Sequence, residues 1–406
     1  MRIPIAKPII TGEEKARVLQ VMESGMLVAG REVREFERQF ADYLGAPHAV
    51  ATSSGTTALE IALEAVGIGP GDVVATTPFT FVATSNAIVH RGAEPLFVDV
   101  DAQTYNLDPR ALEEALRRRP GVRAVLVVHL FGLACDMPAI MALARRHGLL
   151  VIEDCAQALG AVVDSRQAGT FGDAAIFSFY PSKAITTGEG GMVVTGFPEV
   201  ARRACMLVDA GRDGTEYDYE VIGYNYRMTN MAAAIGLVQL THLDARNAIR
   251  RRHAEMLTRG LRDLPWVAVP VEPEGYRHVY NQYTVRVTGE REALAAHLRA
   301  REIGTKIYYP MLVPDTAAYR KRGQPPQFPV AARLVKEVLS IPVHPALAAS
   351  DVEEVVQAVR EFAPGLAAQG TAREPTGAAG GASRVEVREA GRSPSARRGG
   401  RRGGTA

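Results

Sequence analysis

Along the first 210 or so residues, short apolar runs alternate with longer stretches whose apolar positions recur at helical spacing. The runs Val73–Thr76, Pro95–Val98, Ala124–Val128 and Leu149–Ile152 have the length and composition of buried strands. Segments 81–91, 109–118 and 137–147 between them carry the period of amphipathic helices. This alternation predicts an α/β fold with a mixed, mostly parallel sheet covered by helices on both faces. Ligands of such sheets bind beyond the carboxyl ends of the strands, so chemistry is to be sought where strands stop.

A long helical segment from about Asn230 to Leu261 is expected to join a large domain (residues 1–240) to a smaller α+β domain (residues 241–363). In the latter, Tyr283–Val287 reads as a strand, and 291–301 and 351–362 read as helices. Residues 364–406 are rich in Gly, Ala and Arg and nearly devoid of large apolar side chains. Such a tail buries too little surface to offset its ordering entropy and is expected to be disordered.

Composition narrows the picture. The 406 residues are 47% hydrophobic and 23% charged, which allows a large core in a globular protein. A formal net charge of +2 gives no global field directed at nucleic acid or an anionic membrane. Cys135, Cys155 and Cys205 are too few and too scattered for a disulfide framework or a CxxC metal site, and no metal is expected. Val122–Ala144, the most apolar stretch, is interrupted by Arg123, His129 and Asp136, and Met1–Ile10 lacks the apolar core of a signal peptide. The expectation is a cytoplasmic protein. Arg397, Arg398, Arg401 and Arg402 form a basic cluster, but it lies in the tail, and the chain has no helix-turn-helix signal.

Three segments carry candidate chemistry. Asp173–Met192 contains a short apolar strand, then Lys183 in a turn-like stretch, then Gly188, Gly190 and Gly191. A lysine there suits a desolvated amine nucleophile, but taken alone it also reads as an ordinary surface-turn lysine. Leu149–Gln157 is a strand that runs into Glu153 and Asp154; an acid at this end faces the ligand crevice or caps the next turn. Ala51–Leu63 reads as a Ser/Gly/Thr loop entering a helix, either an anion site at Gly55 and Thr56 or an ordinary N-cap.

Five motifs in one order settle these alternatives by resemblance. They are Ser54-Gly-Thr-Thr-Ala-Leu, Thr80-Phe-Val-Ala-Thr-Ser-Asn-Ala, Glu153-Asp-Cys-Ala-Gln, Ser178-Phe-Tyr-Pro-Ser-Lys followed by Thr187-Gly-Glu-Gly-Gly, and Gly223-Tyr-Asn-Tyr-Arg-Met. From about residue 3 to 362 the chain resembles the DegT/DnrJ/StrS family of aminotransferases, which depend on pyridoxal 5′-phosphate (PLP). The resemblance implies fold type I, the aspartate aminotransferase-like architecture. It also implies amino transfer, with glutamate as donor, to a nucleotide-linked keto sugar. Residue by residue, it implies that Lys183 carries the cofactor and Asp154 partners its pyridine nitrogen. Gln157 would contact the ring hydroxyl, Phe81 would stack on the ring, and Gly55, Thr56 and Ser178 would hold the phosphate. Asn225 would reach the phosphate of a neighbouring subunit, which implies a homodimer with shared active sites. Family members that dehydrate carry histidine where Lys183 stands.

Two departures from the family pattern stand out, the second in a segment that tends to face substrate. Leu159 stands where the family often has histidine, and Tyr308–Asp315 lacks the family's histidine. His344 fits a family motif and reads as a packing residue. Two alternative functions remain: a PLP-dependent aminodehydratase of the 3-amino-5-hydroxybenzoate synthase type, and a nucleic-acid-binding regulator.

Overall fold

The computed structural model describes residues 1–214, 217–322 and 327–362. The expected tail, 364–406, lies outside these residues.

A seven-stranded sheet runs in the order His48–Thr52, Gly191–Thr195, Ala174–Ser178, Leu150–Asp154, Val122–Val128, Val73–Thr76, Glu94–Phe97. Gly191–Thr195 is antiparallel to both of its neighbours, and every other pairing is parallel. Six strands therefore end on one edge. The inner strands are apolar on both faces because helices cover both: Ala124, Val125, Leu126 and Val127 are fully buried. The strand expected at Leu149–Ile152 starts one residue later and continues to Asp154, which places the two acids inside its last turn of pairing.

The helices lie where the spacing puts them, at Val82–His90, Pro109–Arg118 and Met137–His147. The last shows why. Asp136 accepts a hydrogen bond from the Ala139 N–H at its start, and Gly148 ends it at φ 65°, a left-handed conformation that suits glycine. The segment expected as one helix from Asn230 to Leu261 is two, Asn230–Thr241 and Leu243–Leu261, parted at His242.

Helices Gly12–Ser24 and Arg31–Leu44 have no counterpart among the sequence-based expectations. The second buries Phe36 and Phe40, whose rings lie 5.3 Å from Phe179 and 5.0 Å from Phe177 respectively. This aromatic cluster clamps the end of strand Ala174–Ser178, the root of the segment that bears Lys183.

A three-stranded antiparallel sheet, Val267–Ala268, Tyr283–Val287 and Val338–Ile341, occupies the second half of the chain. Helices Leu243–Leu261, Arg291–Ala300 and Ala349–Glu361 supply its core, with Leu257, Leu298 and Val355 fully buried. Ile3 joins this core through a bridge to Ile303, so the first residues of the chain pack with its second half.

Candidate active site

Three strand ends and one helix start converge at the carboxyl edge of the large sheet. Strand His48–Thr52 feeds helix Gly55–Ala65, whose start is capped by Ser54. Ser54 Oγ accepts from the Thr57 N–H at 3.1 Å, and Thr57 Oγ1 accepts from the Ser54 N–H at 3.0 Å. The helix thus begins with Gly55 and Thr56 presenting backbone N–H groups, a favourable place for an anion. Gly55 lies against Ser178: a Cβ on Gly55 would come within 2.7 Å of the Ser178 Cβ. Only glycine lets these two elements approach so closely.

Asp154 is buried at the next strand end. Its Oδ2 accepts from the Thr84 hydroxyl at 2.9 Å and its Oδ1 from the Ala156 N–H at 3.1 Å. Burial pushes its carboxyl above the usual range, while these donors and the Lys183 charge oppose the shift. Lys183, in the loop after Ala174–Ser178, has its amine pushed below the ordinary lysine range by desolvation, with Asp154 pulling the other way. Each group therefore favours charge on the other.

Beneath Asp154 the strand is locked. Glu153 is fully buried and accepts from the N–H groups of Gly169, Phe171 and Gly172 at 2.7–2.8 Å, with His129 Nε2 3.0 Å away. His129 Nδ1 accepts from the Cys135 N–H, so the ring proton sits on Nε2 and is given to Glu153. Glu153, His129 and Cys155 are close enough to hold a metal ion. The Glu153 and His129 lone pairs are instead committed to these hydrogen bonds, and the cluster fixes the position of the adjacent Asp154.

A cleft of about 490 Å³ opens over these groups and is lined by Gly55, Thr56, Phe81, Asp154, Gln157, Ser178 and Lys183. Phe81 is 57% exposed there, contrary to the usual place of an aromatic beside an apolar helix. Gln157 is pinned: its Oε1 accepts from the Phe131 N–H at 2.6 Å and its Nε2 faces the Tyr309 hydroxyl at 3.3 Å. Asn225 is not among the lining residues and is exposed elsewhere on the chain. Tyr224 and Tyr226 flank it, stacked at 4.7 Å and bonded through their hydroxyls to Glu64 and Glu60.

Sequence reasoning missed Thr84, Glu189, Gln282 and Tyr309, which also line the cleft. Thr84 had a signal, a hydroxyl one helical turn from Thr80 in a motif already singled out. Tyr309 had a weaker one, its place in Tyr308–Asp315.

The sequence profile of the DegT/DnrJ/EryC1/StrS aminotransferase family matches residues 8–360. The chain belongs to this family. Among its relatives, GDP-perosamine synthase of Caulobacter vibrioides is 39% identical over 367 residues, covering 88% of this chain and 97% of its own. The pleiotropic regulatory protein of Geobacillus stearothermophilus is 40% identical over 354 residues, covering 86% of this chain and 94% of its own. The crystal structure of DesV from S. venezuelae superposes with a TM-score of 0.83 at 40% identity, covering 86% of this chain and 94% of that one. The aminotransferase is PLP-dependent, and the expected fold class stands. No helix among the described residues is long and apolar enough to cross a membrane.

The residues present fit the cofactor. The Gly55–Ser178 approach leaves a cradle that a Cβ would fill, at the positive end of a helix. A buried carboxyl group, a desolvated amine and an exposed aromatic ring line the same cleft.

Proposed function

We propose that this aminotransferase moves an amino group from glutamate to a nucleotide-linked keto sugar, in a homodimer with shared active sites. The observation that carries the site assignment is that Lys183 and the buried Asp154 line one cleft beside the Gly55 helix start, each influencing the charge of the other. Relatives with sugar-nucleotide names support the acceptor class, among them GDP-perosamine synthase. So does the dTDP-3-amino-3,4,6-trideoxy-alpha-D-glucose transaminase of Streptomyces venezuelae, 40% identical over 356 residues.

In this reading Gly55, Thr56 and Ser178 would hold the phosphate of PLP, Phe81 would cover the ring, and Asp154 would partner the ring nitrogen. Gln157 would offer its Nε2 to the ring hydroxyl, because its Oε1 is already engaged by the Phe131 N–H. When bound, PLP supplies the electron sink for amino transfer. Asp154, which accepts hydrogen bonds from the Thr84 hydroxyl and the Ala156 N–H that favour its carboxylate form, would partner the ring nitrogen and favour its protonated state. Lys183 would be the residue that holds the cofactor covalently, since its amine lines the same cleft as Asp154. Desolvation lowers the Lys183 amine below the ordinary lysine range, which would suit it to take a proton from the substrate carbon as general base and to return it as general acid. Asn225 is held outward between two anchored tyrosines, which suits a contact with a second copy. Tyr309, which lines the cleft, stands where the acceptor is expected to lie, whereas Leu159 is buried in the core.

The test is direct. Borohydride should fix the cofactor on Lys183, glutamate should discharge it, and a panel of nucleotide-linked keto sugars should yield an aminated product by mass. If Lys183→Ala protein were still fixed by borohydride, the lysine assignment would fall. If only an aromatic amine formed, the aminodehydratase reading would replace the sugar.

A further inference from the structure

Behind the Lys183 loop lies a second, smaller cavity, walled by Lys7, Lys183, Arg246, Arg250, Asn281 and His344. Lys183 and Ser182 line both this cavity and the cleft above, so the loop is the partition between them. Its free volume of about 30 Å³ is two to three times what one water molecule needs.

The wall is cationic and its charge is not balanced. Arg246 has a carboxylate partner, Glu14, at 3.7 Å and donates to Gln239 Oε1 at 2.6 Å. Arg250 is only 6% exposed, and among the described residues it has neither an ion pair nor a hydrogen-bond partner at Nε. Desolvation and the neighbouring Arg246 charge lower its guanidinium to about 10, and no carboxylate offsets this. Asn281, 6% exposed, has no partner for either side-chain amide atom, so the observation holds whichever way the amide is turned. His344 gives Nε2 to the Pro4 carbonyl and leaves Nδ1 without a partner. Lys7 stands exposed at the rim. Buried, unpaired guanidinium is costly, because the charge has lost water and gained nothing in exchange.

We propose that this cavity is the seat of one small monovalent anion, a halide or the carboxylate of a small acid, held chiefly by Arg250 and Asn281. An anion there satisfies the guanidinium and the amide together and braces the loop that bears Lys183 from behind. The phosphate cradle at Gly55 lies on the other side of that loop's cleft, so the two anion sites are separate.

Bromide identifies the site without reference to turnover. Crystals of the holoenzyme grown in bromide should show an anomalous peak within hydrogen-bond reach of Arg250 Nε. In parallel, the Tm of the holoenzyme is followed against sodium bromide, sodium acetate and sodium glutamate, at ionic strength held constant with a bulky anion. Ligand that binds only the folded state raises Tm with the logarithm of its concentration. Arg250→Met should weaken the midpoint at least tenfold, and Asn281→Leu should weaken it as well, which covers the case in which the arginine variant does not fold. A response to bromide and not to the carboxylates marks a free halide site. A response to acetate or glutamate that bromide competes away marks a carboxylate seat. Ordered water in place of the peak, or identical salt responses in the wild type and Asn281→Leu, would overturn the proposal.

Discussion

The Thr84 hydroxyl gives its proton to Oδ2 of Asp154 across 2.9 Å, tying the helix after Phe81 to the end of a strand seventy residues later. That bond favours the ionised carboxylate against a burial effect that opposes it. Thr84→Val keeps the shape and removes the donor. A hydrogen bond to a charged group contributes about 1.5 kcal/mol or more, so cofactor retention on dialysis should fall roughly tenfold. The acid limb of the pH–rate profile should also move to higher pH, because the unassisted carboxylate protonates more readily. An unchanged acid limb would show that Thr84 serves packing alone.

Gly55→Ala should release the cofactor by forcing the helix start away from Ser178, since the new Cβ would lie 2.7 Å from the Ser178 Cβ. Adding Ser178→Gly removes the obstructing atoms and should restore part of the binding. Recovery is read from the cofactor absorbance that survives gel filtration.

Phe81→Ala separates binding from stability. The ring is 57% exposed, so its loss should change the Tm of the cofactor-free protein little, whereas buried aromatics cost about 3–5 kcal/mol when truncated. The cofactor should nonetheless dissociate faster. A large drop in cofactor-free Tm would mean that Phe81 is a packing residue.

The shared-site dimer predicts complementation. Co-expressed Lys183→Ala and Asn225→Ala chains should regain activity, up to about a quarter of wild type, because half of the dimers are mixed and each has one intact site. Each variant alone should be nearly inactive. No recovery in confirmed mixed dimers would place Asn225 in its own chain's site.

Acid should destabilise the protein below the ordinary histidine range. Burial lowers His278 to about 3 and His344 to about 4. Between the unfolded value near 6.5 and these folded values, the unfolded chain binds protons that the folded chain does not. Stability is thus full above about pH 6.5 and is lost as pH falls, each histidine adding up to about 1.4 kcal/mol per pH unit. His278→Asn should flatten the slope of Tm against pH in that window.

Much of this site is legible in the sequence, and the reason is local. Lys183, Asp154 and the Gly55 helix start each sit at the end of an apolar run, and the α/β pattern sends those ends to one edge. What stayed hidden depends on contacts between distant segments. No period marks Thr84 as the partner of Asp154, or Tyr309 as the neighbour of Gln157, because those distances are set by packing. The N-terminal helix Arg31–Leu44 is strongly amphipathic, yet its role as a clamp on Phe177 and Phe179 needed the fold to be seen. The break at His242 is likewise invisible, since the apolar pattern runs through it.

The cavity behind Lys183 has walls from both extremes of the chain, and the His344–Pro4 hydrogen bond spans 340 positions. Contacts of such long reach form late, since the entropy of closing the intervening loop must be met first. On the ribosome, the large sheet, all of whose strands lie before residue 196, can be in place while His344 is still unsynthesised. The lysine loop is then open at the back until translation is nearly complete. A nascent chain stalled before His344 thus exposes the rear of its own catalytic loop, and the competent enzyme dates from the arrival of the segment that carries His344.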